Sequence, residues 1–364
     1  MHKTDKMILF ITIIIVAFSV LTLYSSCHQK GEFVLQSIFY RQIIWIIIGL
    51  FLSFVFYMID YRKLWDFAWL LYVFTILALI VVLIFGRTRL GAQRWLELGG
   101  FNFQPSEFGK LAIILVLARY FSQKSFEELK IFKNRFSLAR GFVFPLFVTG
   151  VLALLVLIQP DLGTAIIYFF IFMSLIFFVG VRIRYIIIFI CSGLIASPFL
   201  WSLLRGYQRD RLLVFLNPSR DPLGAGYTII QSKIAVGSGG LLGKGWLSGT
   251  QNQLNFLPER HTDFIFSTIG EEWGFFGSVV LIILFYVLVK RILMLSSLAH
   301  DPFAKNLCLC IASLIFIQSF INIAMTIGFM PVVGLPLPFI SYGGSSLVSF
   351  LLLIGIVLNI SKSL

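Results

Sequence analysis

The feature that most constrains the fold is a series of apolar stretches of roughly 20 residues, which recur along the whole chain. A helix of that length can cross the hydrocarbon core of a bilayer. The composition agrees, because 59% of the residues are hydrophobic, 12% are charged and the mean hydropathy is +0.96. A water-soluble domain of this length would not show such values. The chain is therefore predicted to be an all-α polytopic membrane protein.

Ten membrane-spanning helices are predicted, which places both termini in the cytoplasm. Their approximate bounds are 7–24, 40–59, 65–85, 106–122, 142–159, 163–181, 184–204, 274–296, 306–329 and 343–361. Basic residues in short loops mark the cytoplasmic side of a membrane protein. The densest basic cluster follows span 4 and consists of Lys124, Lys130, Lys133, Arg135 and Arg140.

Two segments on the predicted outer side, 86–105 and 205–262, are too long to be simple connectors. Aromatic and aliphatic residues are spread through 205–262, so we expect this loop between helices 7 and 8 to be ordered and packed on the membrane face. Its basic residues outnumber its acidic ones, against the usual orientation bias. An anionic ligand explains that excess, and pairing with anionic lipid head groups is the alternative. The basic residues are Arg205, Arg209, Arg211, Arg220, Lys233, Lys244 and Arg260.

Charged residues are concentrated in Phe256 to Gly277, FLPERHTDFIFSTIGEEWGFFG, in a protein that otherwise avoids them. Titratable groups beside a membrane helix are costly to keep near lipid, so this cluster indicates a functional site. The alternative is an interfacial turn whose charges face water or pair with each other. The ionisable residues are Glu259, Arg260, His261, Asp263, Glu271 and Glu272.

Other predicted spans also begin or end with charged or irregular sequence. Glu107 and Lys110 share one helical face at the start of span 4, so they pair with each other or line a wet cavity. Asp161 lies at a helix junction, where capping of span 6 is the favoured role. Pro331 to Ser346, PVVGLPLPFISYGGSS, is rich in proline and glycine and is predicted to dip into the bilayer as irregular backbone.

Neither a metal site nor nucleic-acid binding is indicated. The four histidines are scattered, and the four cysteines lack C-x-x-C or metal-ligand spacing. The formal net charge of +13 reflects largely the Lys and Arg residues of cytoplasmic loops.

Four motifs together closely resemble the SEDS family, the RodA and FtsW peptidoglycan glycosyltransferases. They are FQPSEFGKLA, QPDLGTA, HTDFIFSTIGEEWGFFG and LPLPFISYGGSS. The resemblance covers essentially the full chain, so residues 1–364 are interpreted as a single transmembrane domain of that type. The run Gly245 to His261 is more similar to RodA, the branch that acts in cell-wall elongation and cell shape.

The resemblance implies lipid II as the substrate, a disaccharide-peptide on undecaprenyl pyrophosphate at the outer face of the bacterial cytoplasmic membrane. Polymerisation joins a sugar 4-hydroxyl to the anomeric carbon of a second sugar, with inversion and release of the lipid pyrophosphate. The resemblance places the general base at Asp263, and an ionised carboxylate suits that role. Candidates for anchoring the substrate or orienting Asp263 are Glu107, Lys110, Arg94, Arg209 and Lys233.

The leaving pyrophosphate needs positive charge from Lys, Arg or a divalent cation such as Mg²⁺, and no cofactor is assigned. The resemblance also implies a class B penicillin-binding protein as the partner that cross-links the glycan. Two other classes of function stay open: a lipid II flippase or transporter, and a membrane scaffold. Intramembrane charges and broken helices suit transport as well as catalysis. The charged residues gather on one predicted face and no internal repeat is evident, which favours the enzyme.

Overall fold

In the computed structural model, the described residues are 3–28, 33–89, 92–98, 101–123, 139–180, 183–203, 206–222 and 224–364. The described part of the chain is mostly helical. The helices within the described residues are α1 Lys3–Cys27, α2 Phe33–Met58, α3 Lys63–Phe85, α4 Pro105–Ser122, α5 Phe144–Ile158, α6 Leu162–Val179, α7 Ile183–Leu203, α8 Gly206–Leu216, α9 Ala225–Ser238, α10 Thr250–Gln253, α11 Ile265–Leu298, α12 Pro302–Thr326 and α13 Gly344–Lys362. A π-helical turn, Ala139–Val143, precedes α5, and a 3₁₀ turn, Pro218–Arg220, follows α8.

Eight helices in the described part of the chain are long and apolar enough to cross a membrane, so the chain is a multi-span membrane protein. They are α1, α2, α3, α5, α6, α11, α12 and α13. The other two predicted spans coincide with α4 and α7. α4 is less apolar because it carries Glu107, Lys110 and Arg119. The predicted cytoplasmic cluster from Lys124 to Arg135 lies outside the described residues.

The centre of the bundle is formed by α12 and α13. α13 packs against α2, and α12 packs against α4, α6 and α11. The membrane-spanning part of α13 is 94% buried, whereas that of α2 is only 17% buried, which leaves most of α2 to face lipid. Gly355 permits the close approach of α13 to α2, because a Cβ there would lie 2.3 Å from the Ser53 carbonyl oxygen.

Residues 87–89, 92–98 and 101–103 form a small antiparallel sheet, so the all-α prediction was wrong for these residues. The strands are β1 Arg87–Arg89, β2 Ala92–Leu98 and β3 Phe101–Phe103, in the order β1-β2-β3. Within β2 only Leu96, Glu97 and Leu98 alternate between apolar and polar side chains, as the two-residue period of a strand requires. The sheet brings Arg94 to the ends of the neighbouring helices.

The long segment that is predicted to lie on the outer side, which we call the outer segment, is ordered in its described residues, 206–222 and 224–262, as expected. Two helices, α8 and α9, are joined through the 3₁₀ turn, and the short α10 follows a glycine-rich segment. Residues 240–245 of that segment contact the middle of α11.

α11 begins at Ile265, so the predicted start of this span at residue 274 was wrong by nine residues. The helix is interrupted at Gly274, where the backbone has φ 64° and ψ −159°, a conformation open mainly to glycine. The backbone groups that the break releases are paired with residues 240–245. The hydrogen bonds are Lys244 N to Glu271 O (3.0 Å), Gly245 N to Glu272 O (3.1 Å), Phe275 N to Gly240 O (2.9 Å) and Phe276 N to Leu241 O (3.2 Å).

The proline- and glycine-rich segment is irregular up to Gly343, and α13 begins at Gly344. Leu335, Leu337 and Phe339 are buried, so this irregular backbone is enclosed by protein, and its position inside the bilayer stays a prediction. This segment, residues 331–343, forms part of the wall of the site described next.

Candidate active site

Asp263 lies in a tight turn, residues 260–264, directly before α11. The backbone of the turn is fixed by side chains and backbone from α12 and from residues 331–343. Three donors bind its carbonyl oxygens: Asn322 Nδ2 to Asp263 O (3.0 Å), Ser341 Oγ to Thr262 O (2.6 Å) and Tyr342 N to His261 O (2.8 Å). Asn322 Nδ2 also binds Leu335 O at 2.7 Å, so one α12 side chain joins the turn to the irregular segment.

The backbone of Asp263 is hydrogen-bonded, but its carboxylate has no hydrogen bond or ion pair with any residue in the described ranges. It is half-buried. Burial and the nearby charge of Glu259 raise the pKa of Asp263 to about 6, while Arg211 and Arg94 act in the opposite direction. An aspartate of this kind is ionised at neutral pH but is a stronger base than an ordinary surface aspartate.

The carboxylate forms part of a cavity of about 210 Å³, which we call the acid cavity. Its polar lining comprises Asp263, Glu259, Thr228 and Arg211, and its apolar lining includes Ile229, Pro258, Phe264 and Val332. A polar wall facing an apolar wall suits a sugar, which presents hydroxyl groups at its edge and C–H groups on its faces.

Arg211, on α8, is a site residue that the sequence reasoning did not single out. Its Nη1 donates to Val332 O at 3.1 Å. Among the described residues it makes no ion pair within 4 Å. The pattern that identifies it is the helical phase of α8, because Gln208, Arg211 and Leu212 share the face that contacts residues 331–333. That phase was not visible while 205–262 was treated as a loop.

Arg94 lies across a second, narrower cleft from Arg211. Its guanidinium donates to the carbonyl oxygens of Gln159 (3.4 Å) and Pro160, and Nη1 lies 3.6 Å from Asp161 Oδ1. Asp161 accepts from Thr164 N (3.2 Å) and Thr164 Oγ1 (3.0 Å), so its predicted role as the N-cap of α6 is confirmed.

Glu107 and Lys110 form a buried ion pair on α4, with 2.7 Å between Lys110 Nζ and Glu107 Oε1. Direct pairing, one of the two predicted readings, is therefore confirmed. Lys110 Nζ also binds Gln318 Oε1 at 2.9 Å, and Gln318 Nε2 binds Pro336 O at 2.8 Å. Gln318 is one helical turn from Asn322 on α12, so the pair reaches the irregular segment that also holds the Asp263 turn.

Arg209 and Lys233 lie elsewhere, and neither lines the acid cavity or the cleft beside Arg94. Arg209 Nη2 donates to Ser202 O at 2.6 Å. Lys233, on α9, is exposed and lies against Gly328, where a Cβ would be 1.8 Å from its Cε. The structure thus gathers Asp263 with Arg211 at one cavity, and Arg94 with Arg211 at the cleft.

The remaining acidic residues of the predicted cluster serve a different purpose. Glu271 Oε1 accepts from Lys244 Nζ (2.8 Å), Thr250 Oγ1 (3.1 Å) and Gln251 N (3.0 Å). Glu272 Oε1 accepts from Ser25 Oγ. Both side chains are buried and bind the outer segment or α1, so the four acidic residues of the cluster divide into Glu259 and Asp263 at the acid cavity and two structural glutamates.

The described residues contain no group of three or more His, Cys, Asp or Glu side chains that could hold a metal ion. Asp263 and Glu259 are the two carboxylates at the acid cavity. Mg²⁺ is usually held by one or two carboxylates together with substrate phosphates, so Asp263 and Glu259 are the residues that would hold such an ion. The divalent cation stays a prediction.

The family model of the FtsW, RodA and SpoVE proteins, described as cell cycle proteins, matches residues 5–364. The chain belongs to this family. The peptidoglycan glycosyltransferase MrdB of Escherichia coli, a RodA protein, is 40% identical over 357 residues, which cover 98% of this chain and 93% of MrdB. A probable peptidoglycan glycosyltransferase FtsW of Geobacter sulfurreducens is 39% identical over 370 residues, covering 100% of this chain and 96% of that protein.

A solved structure with the same fold was also found. It is a structure of a peptidoglycan synthase complex and concerns the structural coordination of polymerization and crosslinking. The matching chain superimposes with a TM-score of 0.80 at 33% identity, over 98% of this chain and 97% of that chain. The predicted membership of the RodA and FtsW family, and the RodA-like fold, are confirmed.

Proposed function

We propose that this protein is a peptidoglycan glycosyltransferase that polymerises lipid II, with Asp263 as the general base. Membership of the family, and relatives named peptidoglycan glycosyltransferases at 39–40% identity, support the enzyme class. The observation that carries the site is the Asp263 carboxylate, which faces the acid cavity on a backbone held by hydrogen bonds while its own oxygens make none within the described chain.

In the proposed reaction, a sugar 4-hydroxyl attacks the anomeric carbon of a second lipid-linked sugar. Asp263 takes the hydroxyl proton as the new C–O bond forms, a contribution worth roughly 10²–10⁴-fold when the base is well placed. The bond between the anomeric carbon and the pyrophosphate oxygen breaks, and its electron pair leaves with the lipid pyrophosphate. One displacement inverts the anomeric centre, so no second nucleophilic carboxylate is needed.

The other predicted residues are proposed to support this step in different ways. The Glu107–Lys110 pair positions Asp263 through Gln318 and the irregular segment. Arg94 is proposed to contact substrate phosphate at the cleft. Arg209 and Lys233, which lie farther from Asp263, are proposed to attract the anionic head group to the outer segment.

We also propose ten spans in the bacterial cytoplasmic membrane, with both termini in the cytoplasm and the acid cavity at the outer face. The eight candidate spans together with α4 and α7 support that count. Leu254, which is 61% exposed beside α10, offers the test. After Cys191→Ser, the variant Leu254→Cys is expected to react with an impermeant thiol reagent on intact spheroplasts, and protection until lysis would contradict the topology.

The function is tested with purified protein and labelled lipid II in proteoliposomes. Polymer formation is expected, with Asp263→Asn as the matched inactive control. Translocation of labelled lipid II without polymer would indicate a flippase instead. A protein that does neither, yet copurifies with cell-wall enzymes, would indicate a scaffold.

A class B penicillin-binding protein is the proposed partner, because the similar chain belongs to a complex that coordinates polymerization with crosslinking. Polymerisation is expected to be faster when the purified partner is added than with this chain alone. Full cellular rates from the isolated chain, with no copurifying protein, would contradict the proposal.

A further inference from the structure

The acid cavity and the neighbouring cleft share a wall made of Arg211 and Val332. The cleft, which we call the basic cleft, is narrow at about 20 Å³. Its polar lining is Arg94, Gln208 and Arg211, and the rest is apolar, including Leu162, Leu212 and Val333. One side chain therefore contributes positive charge to two compartments with different linings.

The two arginines of the basic cleft are not equivalent. Arg94 is held by two carbonyl oxygens and lies 3.6 Å from the Asp161 carboxylate, so its charge is partly balanced. Arg211 has one hydrogen bond, to Val332 O, and no carboxylate within 4 Å in the described part of the chain. A half-buried guanidinium without an anion is a site that a phosphate can satisfy with two parallel hydrogen bonds.

The charges of the two compartments differ in sign. The acid cavity is lined by the carboxylates of Asp263 and Glu259, which repel a pyrophosphate. The basic cleft is lined by two guanidinium groups and by no carboxylate. Its apolar side chains suit the first isoprene units of a lipid tail, although binding must widen the cleft beyond its present volume. Arg211 can move to allow this, since a single hydrogen bond holds its guanidinium.

Gly334 lies close to both the proposed base and the cation. A Cβ on this residue would lie 3.6 Å from Asp263 Oδ2 and 3.8 Å from Arg211 Nη1. An in-line displacement requires the attacking oxygen and the leaving oxygen on opposite sides of the anomeric carbon. A sugar bound between these two side chains would meet this requirement, with its attacked side toward the Asp263 carboxylate and its departing side toward the Arg211 guanidinium.

We propose that Arg211 binds the pyrophosphate of the donor lipid in the basic cleft, while the acceptor hydroxyl lies beside Asp263 in the acid cavity. This assignment rests on the proposed polymerase function. The proton of the acceptor hydroxyl passes to Asp263 as the C–O bond forms. The electron pair of the broken bond stays on the pyrophosphate, where Arg211 stabilises the added charge.

Direct binding of a short donor analogue tests the assignment without turnover. Farnesyl pyrophosphate is titrated into full-length protein carrying Asp263→Asn, with farnesol and inorganic pyrophosphate as probes of the tail and the phosphates alone. Adding Arg211→Gln is expected to weaken farnesyl pyrophosphate binding by about 10- to 100-fold, the range for a hydrogen bond to a charged group. Farnesol binding should stay unchanged, and Arg211→Lys should lie in between because it keeps the charge without the planar fork.

Arg220→Gln is the matched control, because Arg220 is an exposed arginine of the same outer segment that lines neither compartment. It should bind the probe as the parent does. Equal weakening by Arg220→Gln, or full binding by Arg211→Gln, would overturn the assignment and leave only general surface charge. The binding result also stands apart from the polymerase assay: a protein that makes no polymer but binds the probe through Arg211 would contradict the proposed function alone.

Discussion

Asp263 and Glu271 are acidic residues of one motif, yet their surroundings are opposite. Glu271 is fully buried, and one of its oxygens accepts three hydrogen bonds, from Lys244, Thr250 and Gln251. Asp263 is only half-buried, and its carboxylate makes no hydrogen bond with the described residues. The more deeply buried acid is thus the one that the fold has paired.

The difference distinguishes a carboxylate that holds the structure together from one that is available to a substrate. The Glu271 oxygen that accepts three hydrogen bonds is already occupied by protein donors. A carboxylate held by its backbone alone keeps its oxygens for a substrate, and burial makes it more basic. The two glutamates at 271 and 272 fasten the outer segment, and Asp263 faces the cavity that this segment helps to enclose.

The largest expected effect comes from Asp263→Asn, which keeps the size of the side chain but removes the proton acceptor. Polymer formed per folded molecule should fall by roughly 10²-fold or more, without loss of abundance. Asp263→Glu should be impaired as well, though no more than the asparagine variant, because the base is displaced by one methylene. Near-normal polymer from Asp263→Asn would remove this residue from the mechanism.

Lys110→Met should lower both stability and activity, because it leaves Glu107 buried without its cation. Breaking a buried pair in this way costs about 3–5 kcal/mol. Adding Glu107→Gln removes the stranded charge and should restore thermal stability. If the pair positions Asp263 as proposed, polymerisation stays low in the double variant, whereas recovery of both properties would make the pair purely structural.

Glu271→Gln should have the opposite effect to Asp263→Asn: it should lower stability and leave activity unchanged. The amide places a donor where Lys244, Thr250 and Gln251 also donate, so we expect a loss of about 2–3 kcal/mol of stability. The apparent Tm in detergent should fall, while polymer per folded molecule stays the same. Lys244→Gln provides the control for the ion pair. An activity loss that matches Asp263→Asn, with an unchanged Tm, would contradict the division between the two acids.

The smallest expected effect is a shift on the pH axis. Because the pKa of Asp263 is raised to about 6, polymerisation should fall as the pH drops through 6 rather than through the ordinary range near 4. Folding disfavours the ionised form, so the contribution of Asp263 to stability is unfavourable above pH 6 and disappears below the unfolded pKa. Asp263→Asn should therefore not lower the apparent Tm at pH 7. An activity profile that stays flat down to pH 5 would contradict the assigned base.

Sequence reasoning found the spans because bilayer thickness fixes the length of apolar runs, and it found Asp263 through the family motif. It failed where the direction of a side chain decides whether the residue reaches the site. Arg209 and Arg211 are two positions apart, and only the phase of α8 shows that Arg211 faces the cavities. The strands at 87–103 are too short for a clear period. The start of α11 was missed because charged residues obscure an apolar run, although Glu271 and Glu272 are paired inside the protein.

At the Gly274 break, four backbone hydrogen bonds join the outer segment to α11. A continuous helix would supply its own partners there, and the glycine-rich residues 240–245 supply them instead. Peeling that segment away would strand four backbone groups on each side, at a cost of about 1–3 kcal/mol for each buried group. We therefore expect the segment to move together with the first turns of α11 and the Asp263 turn. A displacement of residues 240–245 is thus expected to move the Asp263 carboxylate as well.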